Sequence, residues 1–425
     1  MSTEPGPTDP IQHTSAPQSG GVSGREALLL ALLVALAAGA VLCGYEMLRS
    51  SANTLFVQAY GKQGLPWALG LTLIGVTLLT YIYGRLLSIL GPRHTLQATT
   101  VLAIVTIVAS YAAIRIGWKP ARVVLFIFKE SYVVLLIEQI WSYIDSTLDP
   151  KAAKRLNGPI CGVAGIGAVT GGLVLGRLSQ SLGTLNMLLL GAGATVLTLP
   201  FLQLLFARFG APSEGKKKQH GHLALYLFRR ERVLVLLIAL IAATQVTSTI
   251  LEIAFKSALQ DYLPNADRQN AFSGNYYALI NGAAMFFQFV GAPLLLSRFS
   301  GRVIHILVPV LNLGALGYML VASPLWGSAI AYGVFKTLDY SLFRAAKELL
   351  YVPLPFDARY RAKEVIDVLG NRVSKGMASL GVTLLQWTSV VFSTLSYAGI
   401  GLCAVAMWLC LALPLTSQPE RERSS

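Results

Sequence analysis

Twelve apolar runs, each long enough to cross a bilayer as a helix, take up most of this 425-residue chain. They lie near 27–48, 66–86, 95–116, 121–144, 157–178, 184–206, 233–259, 273–296, 303–321, 325–345, 363–388 and 393–415. A hydrocarbon core of about 30 Å needs about 20 helical residues. Few of the runs alternate apolar and polar positions with the period of a strand. The expected fold class is therefore an all-α membrane protein with twelve transmembrane helices. Only 13% of the residues are charged, against ~25% in soluble domains, so lipid must solvate much of the surface.

The longest polar break, FARFGAPSEGKKKQHGH at 206–222, separates six runs from six. Two six-helix bundles follow as the expected plan: an N-terminal bundle over 24–206, a basic linker over 207–232 and a C-terminal bundle over 233–416. Residues 1–23 and 417–425 are expected to be cytoplasmic tails. The first tail is rich in Pro, Ser, Thr and Gly without a basic start, so disorder is expected there and not a cleaved signal. The segment GRLLSILGPR at 84–93 resembles the loop signature of the major facilitator superfamily in its glycines and basic residues, with Ser88 where that signature has Asp. SRFSGRVIHIL at 297–307 is a weaker counterpart that keeps Gly301 and Arg302. A major facilitator type of bundle pair is thus expected, with its site near the midplane between the halves.

The net charge of +14 does not point to nucleic acid, because the basic residues follow the alternation of loops. Lys151, Lys154, Lys216, Lys217, Lys218, Arg229, Arg230, Arg298, Arg302, Arg359 and Arg361 fall on one side. The other side has mainly Lys62, Arg115, Lys119, Arg122, Arg177 and Arg268. The excess of Lys and Arg marks the cytoplasmic side, so both termini are expected there, in an inner membrane. Cys43, Cys161, Cys403 and Cys410 lie in apolar runs without a metal-ligand spacing, which predicts packing roles.

Ionisable residues inside the runs are the site candidates, since each costs ~2.5–3.5 kcal/mol at a helix centre. Glu46 and Arg49 are three apart in the first run; Lys129, Glu130, Glu138 and Asp145 lie in the fourth. Glu252 and Lys256 are one turn apart in the seventh. The tenth has Lys336 and Asp339, with Lys347 eleven residues after Lys336 and so on the same face of an unbroken helix. The eleventh has Lys363 with Asp367, then Arg372 and Lys375. Glu46 and Asp339 each have a basic neighbour at helical spacing and read as ion-pair partners; Lys363 and Asp367 read as a pair at the cytoplasmic mouth, structural or gating. Arg49, Lys256, Lys336 and Lys347 converge from three helices that flank the expected cavity. Such a set suits a phosphorylated anion, which Arg grips through two bonds and Lys meets as a point charge. Glu130, Glu138 and Glu252 are placed to contact a ribose or base, or to hold the cations when the site is empty.

Nothing in the chain has the pattern of a nucleotide-cradling loop, a zinc-protease helix or a nucleophile elbow, and no enzyme, metal or cofactor is expected. The glycines of GPICGVAGIGAVTGGLVLG at 158–176 fall at near-helical spacing in an apolar run, which predicts close helix packing.

Four segments carry a family resemblance: KELLYVPLPFDARYRAKEVIDVLGNRVSKG at 347–376, ILEIAFKSALQDYLP at 250–264, IEQIWSYIDSTLDPKAAKRL at 137–156 and MLRSSANTLFVQAYGKQGLPWALG at 47–70. Together they resemble the ATP/ADP translocases of plastids and obligate intracellular bacteria. The resemblance implies nucleotide exchange and assigns functional charge to Glu252, Lys256 and Lys347 by position. It departs in the first helix, where the translocases have a Lys-Asp pair and this chain has Ala52-Asn53; Arg49 keeps an earlier basic position. The expected function is a carrier exchanging a nucleotide or similar phosphorylated anion across the bilayer, with no nucleic-acid partner and the oligomeric state open. Two alternatives stand beside it: a carrier of another anionic metabolite, with proton coupling through Glu138 or Glu252, and a non-transporting membrane scaffold on the same fold.

Overall fold

The computed structural model describes residues 24–148, 150–210, 232–351, 366, 370–388 and 391–417, and among these there is no strand. The helices are α1 Gly24–Tyr60, α2 Leu65–Arg115, α3 Pro120–Thr147, α4 Pro150–Leu182, α5 Met187–Val196, α6 Thr198–Phe209, α7 Arg232–Tyr262 and α8 Ala266–Phe286. They continue as α9 Ala292–Arg298, α10 Gly301–Val321, α11 Pro324–Leu338, α12 Arg344–Tyr351, α13 Asn371–Trp387 and α14 Thr394–Ser417. π-helical turns join α8 to α9 over Phe287–Gly291 and α11 to α12 over Asp339–Phe343.

Eight helical stretches among the described residues are long and apolar enough to span a membrane, and the expected count of twelve is not matched one for one. The reasons are local. The second and third expected runs follow one another within Leu65–Arg115, where two helices join end to end and count as a single stretch. It breaks at Gly91, whose φ of 72° and ψ of 171° turn the chain before Pro92. Residues expected in the loop signature, from Gly84 to Leu90, are helical instead. α3 holds Arg122, Lys129, Glu130, Glu138 and Asp145, α11 gives way to its π turn after Leu338, and α13 is described from Asn371. The sixth run is one of the eight stretches, Met187–Phe209, with a joint at Leu197 between α5 and α6. Pro200 there cannot donate to the carbonyl of residue 196, and its ring crowds that turn.

Two apolar clusters organise the molecule. One is built by α1–α6, around Leu30, Val34, Leu125, Leu136 and Leu205. The other is built by α7–α14, around Leu251, Phe255, Leu316, Phe335 and Trp408, and reaches Phe56, Leu69 and Phe126 of the first group. The groups meet where α4 packs on α8 and α2 packs on α13. The α4–α8 crossing depends on absent side chains. A Cβ on Gly172 would stand 2.8 Å from the Gly274 carbonyl oxygen, and one on Gly274 would stand 2.7 Å from that of Gly172. The expected packing role of the 158–176 glycines is met there. The linker at 211–231 and both expected tails lie outside the described residues, apart from Ser417 at the end of α14.

Candidate functional site

Five charged side chains from three helices meet on the seam between the two groups. On α3, Lys129 and Glu130 are chain neighbours in direct ion-pair contact. On α7, Glu252 and Lys256 form the one-turn pair that their spacing predicts. Lys375 of α13 joins the two, with its ammonium 3.1 Å from Glu130 Oε2 and 3.4 Å from Glu252 Oε2. The result is an alternating row: Lys129, Glu130, Lys375, Glu252, Lys256. At its far end Lys256 Nζ donates to Asn53 Oδ1 of α1 at 3.2 Å.

Three members of the row are deeply buried, Lys129 at 0% exposed, Glu252 at 4% and Lys256 at 5%, while the side chains of Glu130 and Lys375 keep 19% and 22%. Stripping water from such charges costs several kcal/mol each, roughly. Alternation of sign is what offsets it, because each carboxylate lies between two ammonium groups. Phe126 lies beneath, its ring centroid 4.2 Å from Lys129 Nζ and 5.6 Å from Lys256 Nζ. The π face adds attraction for both cations without a further negative charge.

Two more cations flank the row. Arg49 of α1 pairs with Glu46 one turn earlier, as expected, and its guanidinium lies 3.7 Å from the centroid of Tyr277 on α8. Lys336 of α11 donates to Ser248 Oγ of α7 at 3.0 Å, with the Tyr332, Phe335 and Tyr340 rings within 6 Å or so. Among the described residues around the seam, Arg49, Lys129, Lys256, Lys336 and Lys375 thus stand against three paired carboxylates, Glu46, Glu130 and Glu252. A site with surplus cations and aromatic walls is chemically matched to an anion with a flat apolar part.

In this conformation the charges fill their own site. The cavity beside Lys256, lined by Asn53, Thr54, Phe255 and Tyr277, measures about 10 Å³, hardly space for one water. An anion enters only when some of the ion pairs part. The groups are also clasped at the face away from the chain termini. Lys62 pairs with Asp261, Gln58 Nε2 donates to the Pro264 carbonyl at 2.7 Å, and Thr184 Oγ1 donates to Asp267 at 2.7 Å. One turn deeper, Asn270 Nδ2 donates to Ser51 and Ser179, both at 3.1 Å.

The structure places the expected site residues unequally. Arg49, Glu130, Glu252, Lys256 and Lys336 lie along the seam as described. Asp339 does not pair with Lys336; it opens the π turn and makes no ion pair among the described residues, while Lys336 reaches across to Ser248. The same turn alters Lys347. Adding one residue to a helical turn swings everything after it by roughly 100°, so Lys347 leaves the face of Lys336 and stands half-buried on α12. Glu138 is exposed on α3, within electrostatic reach of Arg372. Lys363 and Asp367 lie outside the described residues. Lys129 and Lys375 were visible as charges, yet their central position was not. Their only signal is an ammonium set in an otherwise apolar helical stretch.

The fold is that of a multi-pass helical membrane protein, with a charged seam between two helical groups. Solved structures similar to it include the nucleoside transporter NupG, with a TM-score of 0.65 at 12% identity, covering 91% of this chain and 98% of that one. A bacterial homologue of the iron transporter ferroportin in an inward-facing state gives 0.68 at 14% identity, covering 92% and 99%. The family profile of the TLC ATP/ADP transporter matches residues 315–418. Among curated proteins, the plastidic ATP/ADP-transporter of Solanum tuberosum is 26% identical over 204 residues, which cover 43% of this chain and 32% of that protein. ADP,ATP carrier protein 1 of Chlamydia muridarum is 28% identical over 49% of this chain and 44% of its own length. The chain thus spans less than half the length of these relatives. ADP,ATP carrier protein 3 of Rickettsia felis is 22% identical across 88% of this chain and 90% of the carrier. The resemblance read from the four sequence segments is borne out by these matches.

Proposed function

We propose that this protein carries a nucleotide or a similarly phosphorylated anion across a membrane by alternating access, exchanging one anion for another. The observation that supports this most is the buried row bridged by Lys375, with its surplus of cations on the seam that must open and close. When the anion arrives, its phosphate oxygens take over ammonium groups held until then by Glu130 and Glu252. When it leaves, the carboxylates reclaim them. In the empty site the ion pairs hold the two groups together across the seam, and parting buried pairs without a substitute is costly, so reorientation is favoured with an anion bound in place of the carboxylates, which is the physical basis of exchange. Tyr277 and Phe126 offer flat surfaces to a base, and Arg49 and Lys256 offer the phosphate contacts. The ADP,ATP carrier relatives favour an adenine nucleotide as cargo. The distribution of Lys and Arg favours cytoplasmic termini in an inner membrane, with 24–206 and 233–416 as the two moving bundles.

The test is uptake of labelled ATP or ADP into proteoliposomes preloaded with unlabelled nucleotide. Uptake that depends on internal nucleotide supports exchange. Folded protein that takes up no nucleotide under any loading overturns the cargo; uptake equally fast into empty vesicles overturns exchange.

A further inference from the structure

Away from the charged row, a cavity of about 830 Å³ opens at the clasped face. It borders α7 through Ala254, Ser257, Ala258 and Asp261. Ala254 and Ala258 are each two residues from Lys256, about 200° around the helix. The cavity is therefore behind α7, off the route through the seam. Its volume is that of a small-molecule site, and its walls come from both helical groups. Lys62 and Trp67 belong to the first; Asp261, Thr383, Trp387 and Tyr397 belong to the second.

We propose that this cavity is a binding site for a zwitterionic phospholipid of the bilayer, one carrying a primary ammonium beside its phosphate, and that the bound lipid holds the clasped face shut. Three observations carry the assignment. The first is depth: the walls lie at helix ends, where α7 stops at Tyr262, α13 at Trp387, and α11 and α14 start at Pro324 and Thr394. That is headgroup level, where Trp and Tyr gather. The second is exposure: Trp387 is 77% exposed and the cavity-lining Val391 88%, so the mouth faces the surroundings of the protein. The third is charge. Lys62 and Asp261 pair across the seam but keep side-chain exposures of 43% and 60%. An ammonium–phosphate headgroup presents the inverse pair, its phosphate to Lys62 and its ammonium to Asp261. An acyl chain then lies along Trp387 and Leu325. Such a lipid touches both groups at once and so favours the state in which they are held together.

Native mass spectrometry of the purified full chain, titrated with phosphatidylethanolamine, phosphatidylcholine or phosphatidylglycerol, tests this, with the thermal midpoint read in parallel. Phosphatidylethanolamine is expected to remain bound and raise the midpoint by several degrees, with phosphatidylcholine weaker and phosphatidylglycerol weakest. Thr383→Trp, which fills the cavity, abolishes the effect; exchanging the pair as Lys62→Glu with Asp261→Lys retains it, whereas Asp261→Ala alone loses most of it. Equal retention of phosphatidylglycerol, or undiminished phosphatidylethanolamine binding by folded Thr383→Trp protein, overturns the assignment. Because the readout is lipid binding, it stands or falls independently of whether nucleotides are carried.

Discussion

The Lys375 ammonium lies 3.1 Å from the Glu130 carboxylate, across the boundary between the two helical groups. One lysine so placed both ties the two groups together and offers an entering anion a charge that Glu130 and Glu252 must give up. Lys375→Ala leaves two buried carboxylates short of a partner, a loss of ~3–5 kcal/mol for a buried pair. Its thermal midpoint is expected to fall by several degrees and exchange to drop by at least about tenfold. Adding Glu130→Gln removes the stranded charge and restores part of the stability without restoring transport. Full transport by Lys375→Ala would remove this residue from the mechanism.

Asn53 presents a neutral oxygen to Lys256 at 3.2 Å. Asn53→Asp places a full negative charge there, worth on the order of a few kcal/mol of Coulomb attraction at an effective dielectric near 20. The ammonium is then held more firmly, and the anion must displace a stronger rival. A rise in KM of roughly tenfold with little change in stability is expected from initial uptake rates; an unchanged KM would mean that Lys256 does not meet the cargo.

Arg49 is held both by Glu46 and by the face of Tyr277. Arg49→Lys keeps the charge but loses the planar stacking, an effect of ~0.5–2 kcal/mol. Uptake is expected to fall about two- to thirtyfold. A double-mutant cycle with Tyr277→Leu checks the coupling, since two changes that remove one contact are less than additive. Strict additivity would show the contact to be unimportant.

Gly172 and Gly274 face each other so closely that neither tolerates a side chain without the helices separating. Gly172→Val is expected to destabilise the protein by ~1–3 kcal/mol through overpacking and to impair exchange beyond its effect on folding. Gly193→Ala, at a position with nothing within 4 Å of a new Cβ, is the control and should leave both readouts unchanged.

The α-helical fold and the pairs within one helix were legible in the sequence because both rest on local periodicity. Glu252 with Lys256 and Glu46 with Arg49 follow directly from 3.6 residues per turn. The contacts that cross the seam were not legible. Nothing in a linear pattern places Lys375 beside Glu130, 245 positions away, because their meeting depends on how α13 docks against α2 and α7. Lys347 shows a different failure: the spacing from Lys336 was sound, but the π turn at Asp339–Phe343 lies between them.

The two π turns, Phe287–Gly291 and Asp339–Phe343, pack against each other. Each relaxes the regular hydrogen-bond ladder of its helix at one level, so together they form a shared crease. Below it, toward the chain termini, α9 and α12 can tilt as a pair while the upper parts of both helices stay in place. Bending along this line gives the C-terminal group a local freedom on the termini side, with Tyr332 and Phe335 beside Lys336 left in the regular helix above it, a motion that adds to any movement of the bundles as wholes.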